Sequence, residues 1–146
     1  VKGYQPNLWD TGNPSTLGVS TPVLPADLVP YYGGGTLDSN GHTEWVDGRT
    51  HQTGFTAVFA PNQPVTCVQG GTTYDFDWTS FREGITPGPP TANPTFAAVT
   101  SRSYHAGIVN VLLMDGSTRP ASSDTDLATW RAIATRAAGE TDSLGR

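Results

Sequence analysis

The stretch Ile108-Val109-Asn110-Val111-Leu112-Leu113-Met114-Asp115-Gly116-Ser117-Thr118-Arg119 decides the reading of the fold. A β-prone apolar run meets an Asp-Gly pair, and short polar residues follow. Asp and Gly tolerate the backbone of a tight reversal, so the stretch predicts a β-hairpin that turns at Asp115 and Gly116. The first strand is apolar on both faces, which predicts a central, buried position. Pro120 has no N–H and is expected to end hydrogen bonding on the return strand.

The same signal stands upstream. Asp47-Gly48 lies between residues 41–46 and 49–55, both β-prone, and predicts a second hairpin. A two-residue turn would set Glu44 opposite His51 and Trp45 opposite Thr50. His42, Glu44 and His51 would then share one face by the two-residue period. Residues 55–59 would extend the strand as far as Pro61. Residues 64–68 and 72–78 form another candidate pair around Gly70-Gly71, and residues 95–101 suggest one more short strand. After the Asp115 hairpin a helix is expected, with Ser123 or Asp124 as its cap and Asp126 in its first turn. Its apolar stripe is Leu127, Trp130, Ile133, Ala134 and Ala137, and Gly139 suits the position just past its end. The predicted fold is α+β and mostly β: an antiparallel sheet with hairpins at Asp47-Gly48 and Asp115-Gly116, and a C-terminal helix packed on it. All of it falls in one domain over 1–146. Residues 1–37 form a Pro/Gly/Thr-rich arm, 38–121 the sheet and 123–139 the helix.

Composition narrows the function. The chain has 146 residues, 17 Gly and 12 Pro, and only 14% of its residues are charged. Eight Lys and Arg stand against 13 Asp and Glu, for a net charge of −5, and Lys2 is the lone lysine. Tracking a phosphate backbone takes clustered cations, so nucleic acid is excluded as a partner. No apolar run is long enough to span a membrane. The single Cys, Cys67, rules out cysteine-rich zinc modules and an internal disulfide.

Four groups of side chains invite chemistry. His42, Glu44 and His51 offer two imidazoles and a carboxylate, a zinc-like set if the hairpin register holds. The favoured reading is an exposed Glu44–His51 cross-strand pair, with no metal and no cofactor. His105 and Asp115 suggest an acid–base pair. No nucleophile motif accompanies them, so Asp115 reads as a turn residue and His105 as a structural one. Asp75 and Asp77 flank Phe76, with Glu83 nearby. They could serve glycoside hydrolysis or calcium, yet read better as a solvated strand face. Among the aromatics Trp9, Tyr31, Tyr32, Trp45, Trp78 and Trp130, the candidates for a ligand platform or an interface are Trp45, Trp78 and Tyr31.

His105 and Asp115-Gly116 are separated by nine residues. This spacing resembles the H-x9-DG motif of bacterial proteins with prepilin-type N-termini. Residues 41–49 and 51–55 are similar to that family's middle segment. Residues 98–105 lead into the motif as in the family, and residues 126–132 resemble its closing helix. The resemblance covers roughly residues 38 to 140. It implies a pilin- or pseudopilin-like secreted protein with a β-rich globular part. Family members begin with a basic leader and a long apolar helix. These residues contain neither, so the resemblance implies the C-terminal part of a longer precursor. Ala106 stands where the family usually has Pro, and Arg119-Pro120 replaces an apolar continuation, which suggests a short or edge-placed return strand.

The expected function is therefore structural: a non-enzymatic, extracellular subunit that self-associates into a pilus-like or surface filament. Residues 1–30 are the segment expected to reach a neighbouring copy. The alternative is a secreted carbohydrate- or solute-binding module, with a glycan as the partner.

Overall fold

A computed structural model describes residues 5–10, 24–26, 36–80 and 97–135. Within them the element order is β1 (Gln5–Asp10), β2 (Thr36–Gly41), α1 (Thr50–Thr53), β3 (Thr66–Gln69) and β4 (Thr72–Asp75). Then follow β5 (Asp77–Ser80), β6 (Ala97–Ala98), β7 (Ile108–Leu112), β8 (Thr118–Ser122) and α2 (Leu127–Ile133). The architecture is a small α+β fold, mostly β. The sheet expected over 38–121 is divided into three: a four-stranded sheet in the order β2-β1-β5-β6, and two hairpins, β3-β4 and β7-β8.

Residues 5–10 of the expected N-terminal arm are a strand of the sheet. β1 lies inside the four-stranded sheet, antiparallel to β2 with Leu8 opposite Leu37, and parallel to β5 with Leu8 opposite Trp78. Gln5–Asp10 thus pairs within its own chain on both edges. Pro6 is tolerated because the β1-β2 register is irregular between Gln5 and Asn7.

The three Gly-containing turns behave differently. Gly70 and Gly71 both take positive φ, 59° and 79°, and Gln69 pairs with Thr72 across a two-residue reversal. Two positive φ angles in succession define the turn whose twist matches that of paired strands. The reversal at Asp115-Gly116 is one residue longer than a two-residue loop. Leu113 N–H donates to Ser117 O at 2.8 Å, Gly116 N–H donates to Leu113 O at 3.0 Å, and Gly116 has φ +84°. Asp115 Oδ1 accepts from Ser117 N and Oγ at 2.9 and 2.6 Å, which holds its carboxyl below the usual range.

The Asp47-Gly48 hairpin does not form. β2 ends at Gly41, and residues 50–53 make the single turn α1. Asp47 accepts instead from Arg49 N at 3.0 Å and Arg49 Nε at 2.7 Å. A side chain that bonds its own backbone two residues on competes with a strand ladder. Residues 55–59 form no strand, and they bond sideways: Thr56 N–H donates to Val99 O at 2.8 Å.

Among the described residues β7 is not a central strand. Val109 and Val111 are buried, whereas Asn110 and Leu112 are exposed, so the strand has one inner face. That face meets β8 and α2 in a cluster of Val109, Val111, Ala121 and Trp130. Pro120 does not end the pairing. It sits in β8 opposite Asn110, and the register continues to Ser122. With no further described strand beside β8, the missing N–H costs no ladder bond there. The cap of α2 is Asp126, not Ser123 or Asp124: its Oδ1 accepts Thr129 N–H at 3.0 Å. Ala137 and Gly139 lie outside the described residues. Arg131 anchors the helix by donating to Val58 O at 2.6 Å, and the Phe55 and Trp130 rings stack at 5.8 Å.

Asn62 joins the parts. It sits at φ +59°, a backbone region that Asn tolerates well. Its Nδ2 donates to Ser123 Oγ at 2.9 Å and its Oδ1 accepts Ser103 N–H at 2.8 Å. Asn62 N–H donates to Ser101 O at 2.8 Å. Residues 101–103 are thereby tied to the open end of the β7-β8 hairpin. No helix among the described residues is long and apolar enough to cross a membrane.

Trp130, 2% exposed, is the keystone of the α2 contact, and Met114 is 100% exposed. Trp130→Ala is expected to cost about 3–5 kcal/mol in urea unfolding. Met114→Ala should stay within about 0.5 kcal/mol of the parent.

Candidate functional site

A group of charged side chains gathers where β4, β5 and the segment after β6 meet. Phe76 is fully buried, so the chain around it runs with Asp75 and Asp77 on the opposite side. Both carboxylates meet Arg102. Its Nη2 donates to Asp75 Oδ1 at 2.9 Å and to Phe76 O at 3.1 Å, and its Nε donates to Asp75 Oδ2 at 3.3 Å. Its Nη1 donates to Asp77 Oδ1 and to Thr100 O at 3.1 Å. These five bonds use every N–H of the guanidinium. Asp75 Oδ1 also takes Val65 N–H at 2.9 Å, and Asp77 Oδ1 takes Thr100 N–H at 3.2 Å. The solvated strand face expected for Asp75 and Asp77 is thus a closed ion-pair network, with Asp77 0% exposed. Neither glycoside hydrolysis nor calcium binding suits carboxylates committed to an internal arginine.

His42 completes the group. It follows β2 at φ +56°, which turns its ring toward β5. Nε2 lies 3.5 Å from Asp77 Oδ2, and Nδ1 donates to Gln52 O at 3.1 Å. Both ring nitrogens therefore face acceptors, an arrangement that only the doubly protonated imidazolium satisfies fully. The hydrogen bond to Asp77 is the main cause that raises the His42 pKa above 6.5, against the opposing effect of burial. With His42 protonated, two cations balance two carboxylates. Such a histidine has no spare lone pair for general-base work.

α1 carries the other half of the site. Gln52 is buried, and its Oε1 accepts Thr43 N–H at 2.9 Å and Glu44 N–H at 3.0 Å. A side-chain amide thus supplies the bonds that a facing strand would have given. The Arg49 contacts hold the Asp47 carboxyl down at about 2, and Thr53 Oγ1 donates to Asp47 O at 3.0 Å. Asp47-Gly48 therefore closes the loop that carries Trp45.

These elements enclose a cleft of about 720 Å³, with Trp45, Phe55, Arg102 and Asn110 among its lining residues. Trp45 stands at its edge, 86% exposed. The predicted site residues distribute unevenly. Trp45 lines the cleft, Trp78 is fully buried in the core and unavailable to a ligand, and Tyr31 lies outside the described residues. His42, Glu44 and His51 are not brought together as a metal set: His51 is buried on α1, Glu44 is exposed, and His42 turns to Asp77. Among the described residues no group of three His, Cys, Asp or Glu side chains is placed to hold a metal ion. His105 is exposed in the bend before β7, its N–H bonded to Ser103 Oγ at 3.0 Å, while Asp115 and Gly116 form the turn beyond β7. The residues that sequence reasoning missed are Arg102 and Gln52. One signal existed for Arg102: two Asp flanking a Phe in a chain poor in cations require a counter-charge if the Phe is buried.

Two measurements check this network. Arg102→Met leaves a buried carboxylate uncompensated and is expected to cost about 3–5 kcal/mol. The double variant with Asp77→Asn should recover part of that loss. A raised His42 pKa contributes stability that is fully present below pH 6.5 and lost as pH rises through the higher folded value. The melting temperature should therefore fall as pH rises above 6.5, and His42→Asn, which keeps the positive φ accessible, should flatten that slope.

No protein-family model matches the chain, and no curated protein or solved structure is similar to it.

Proposed function

We propose that this chain is a non-enzymatic, extracellular subunit of pilin-like design that assembles with copies of itself at the cell surface. The observation that carries the reading is the tip of the β7-β8 hairpin. Leu112 and Met114 are exposed there, beside an apolar groove of about 530 Å³ lined by Phe55, Ala57, Leu113 and Ile133. A contiguous apolar surface of this kind on a water-facing domain is costly unless something covers it. Among the described residues, β7 and β8 pair only with each other, so the outer edge of β7 has ladder bonds to offer a neighbour, whereas Pro120 blunts the outer edge of β8. The sparse charge of the chain favours close packing of copies.

The polar residues support the non-enzymatic side of the reading. Arg102, Asp75, Asp77 and His42 are committed to one another, and Asp115 and Gly116 to a turn. The motif resembled by His105 and Asp115-Gly116 would then be a folding signature that shapes a hairpin.

Light scattering and negative-stain microscopy of concentrated protein test the proposal. Ordered oligomers or filaments are expected, and Leu112→Glu with Met114→Glu should reduce them to dispersed single particles without changing the melting temperature. Dispersed particles from the parent protein at high concentration would sink the idea.

A further inference from the structure

The cleft beside Trp45 is a second surface with its own chemistry, separate from the hairpin tip. We infer that it binds a neutral, polyhydroxylated ligand of the saccharide class, with Trp45 as the stacking platform. The volume of about 720 Å³ falls within the span of small-molecule sites, about 300–1,000 Å³. The walls are mixed: Trp45 and Phe55 give apolar area, and Asn110, Thr100, Ser101 and Ser103 give polar groups.

The class of ligand follows from which groups are spent. An anionic ligand requires a cation with donors to give. Arg102, the guanidinium that lines the cleft, has all five N–H groups engaged, and its charge is matched by Asp75 and Asp77. His42 directs one ring nitrogen at Gln52 O and the other at Asp77. A cationic ligand meets no carboxylate among the lining residues, since Asp77 is fully buried and Glu44 lies outside the lining. Hydroxyl and amide groups are what remain. Thr100 Oγ1 and Ser101 Oγ are buried just beneath the lining and have no hydrogen-bond partner among the described residues. Thr100 is 3% exposed and Ser101 8%. Leaving such a hydroxyl unpaired in the interior is unfavourable, so a ligand oxygen within its reach would be a favoured partner. Asn110 presents an exposed amide on the outward face of β7.

Trp45 supplies the apolar half. An indole left 86% exposed beside polar groups offers a flat face and one N–H. A sugar ring has the matching character, with C–H groups on its face and hydroxyls around its rim. The loop that holds Trp45 is braced at both ends, by Gln52 Oε1 on Thr43 and Glu44 and by the Asp47–Arg49 pair. The backbone that carries the platform is therefore pre-set, which lowers the ordering cost of binding.

The test is titration of the full chain with neutral cello-, malto- and chito-oligosaccharides, followed by tryptophan fluorescence and calorimetry. Oligogalacturonate serves as the acidic counterpart. At least one neutral oligosaccharide is expected to bind and to perturb the exposed tryptophan, with an affinity insensitive to salt. Trp45→Ala should weaken it about tenfold or more, Asn110→Ala less, and Trp45→Phe should retain part of it. Assembly measured by light scattering should be unchanged in Trp45→Ala, so failure here and failure of the assembly reading are separable. The inference is overturned if no neutral oligosaccharide binds. It is equally overturned if Trp45→Ala binds as well as the parent, or if only the acidic oligomer binds and salt abolishes it.

Discussion

The buried carboxylate of Asp77 is the constraint on which the rest of the structure depends. An ionised group taken out of water is tolerated only where opposite charge and hydrogen bonds surround it. Arg102, Thr100 N–H and His42 supply them, from the segment after β6 and the loop after β2. Because Asp77 opens β5, and β5 pairs with β1, the demand of one carboxylate fixes where three separate stretches of chain must pass. The cleft is a result of the same demand. Its floor is the set of backbone and side-chain groups that had to converge on Asp77.

Sequence reasoning reads local turn chemistry well and the closure of charge poorly. The turn at Gly70-Gly71 was legible because two glycines in succession permit two positive φ angles, and both occur. The hairpin at Asp115-Gly116 was legible because Val109 and Val111 supply an apolar face for it to bury. Asp47-Gly48 carries the same dipeptide without that support. Residues 49–54 are polar or glycine and give a facing strand nothing apolar to pack. Asp47 finds Arg49, Gln52 takes the backbone of residues 43 and 44, and His51 goes inside. The zinc-like trio depended on a register that this local competition removed. Trp45, a candidate for a ligand platform or an interface, is exposed at the edge of the cleft. Trp78 was placed in the same class, and it is instead fully buried on β5, because a strand paired on both sides buries its large residues.

The apolar tip and the tryptophan cleft are distinct in character although they adjoin at Phe55 and Val111. The tip offers bare methylene and thioether surface beside the open ladder edge of β7, which suits a protein neighbour. The cleft offers an indole face with hydroxyls and an amide, which suits a hydrated solute. A surface subunit that uses the two together would carry its binding sites outward on an array, and many weak sites in a row hold a polyvalent target far more tightly than one.

Asn62 sets an order of events. Its bonds to Ser103, Ile108 and Ser123 span 41, 46 and 61 residues along the chain. Closing loops of that length costs entropy before any contact repays it. The β7-β8 hairpin, by contrast, closes across a few residues. Loop-closure entropy therefore favours forming the hairpin before the Asn62 clasp, so the floor of the cleft is held by the costlier closures and the hairpin by the cheapest.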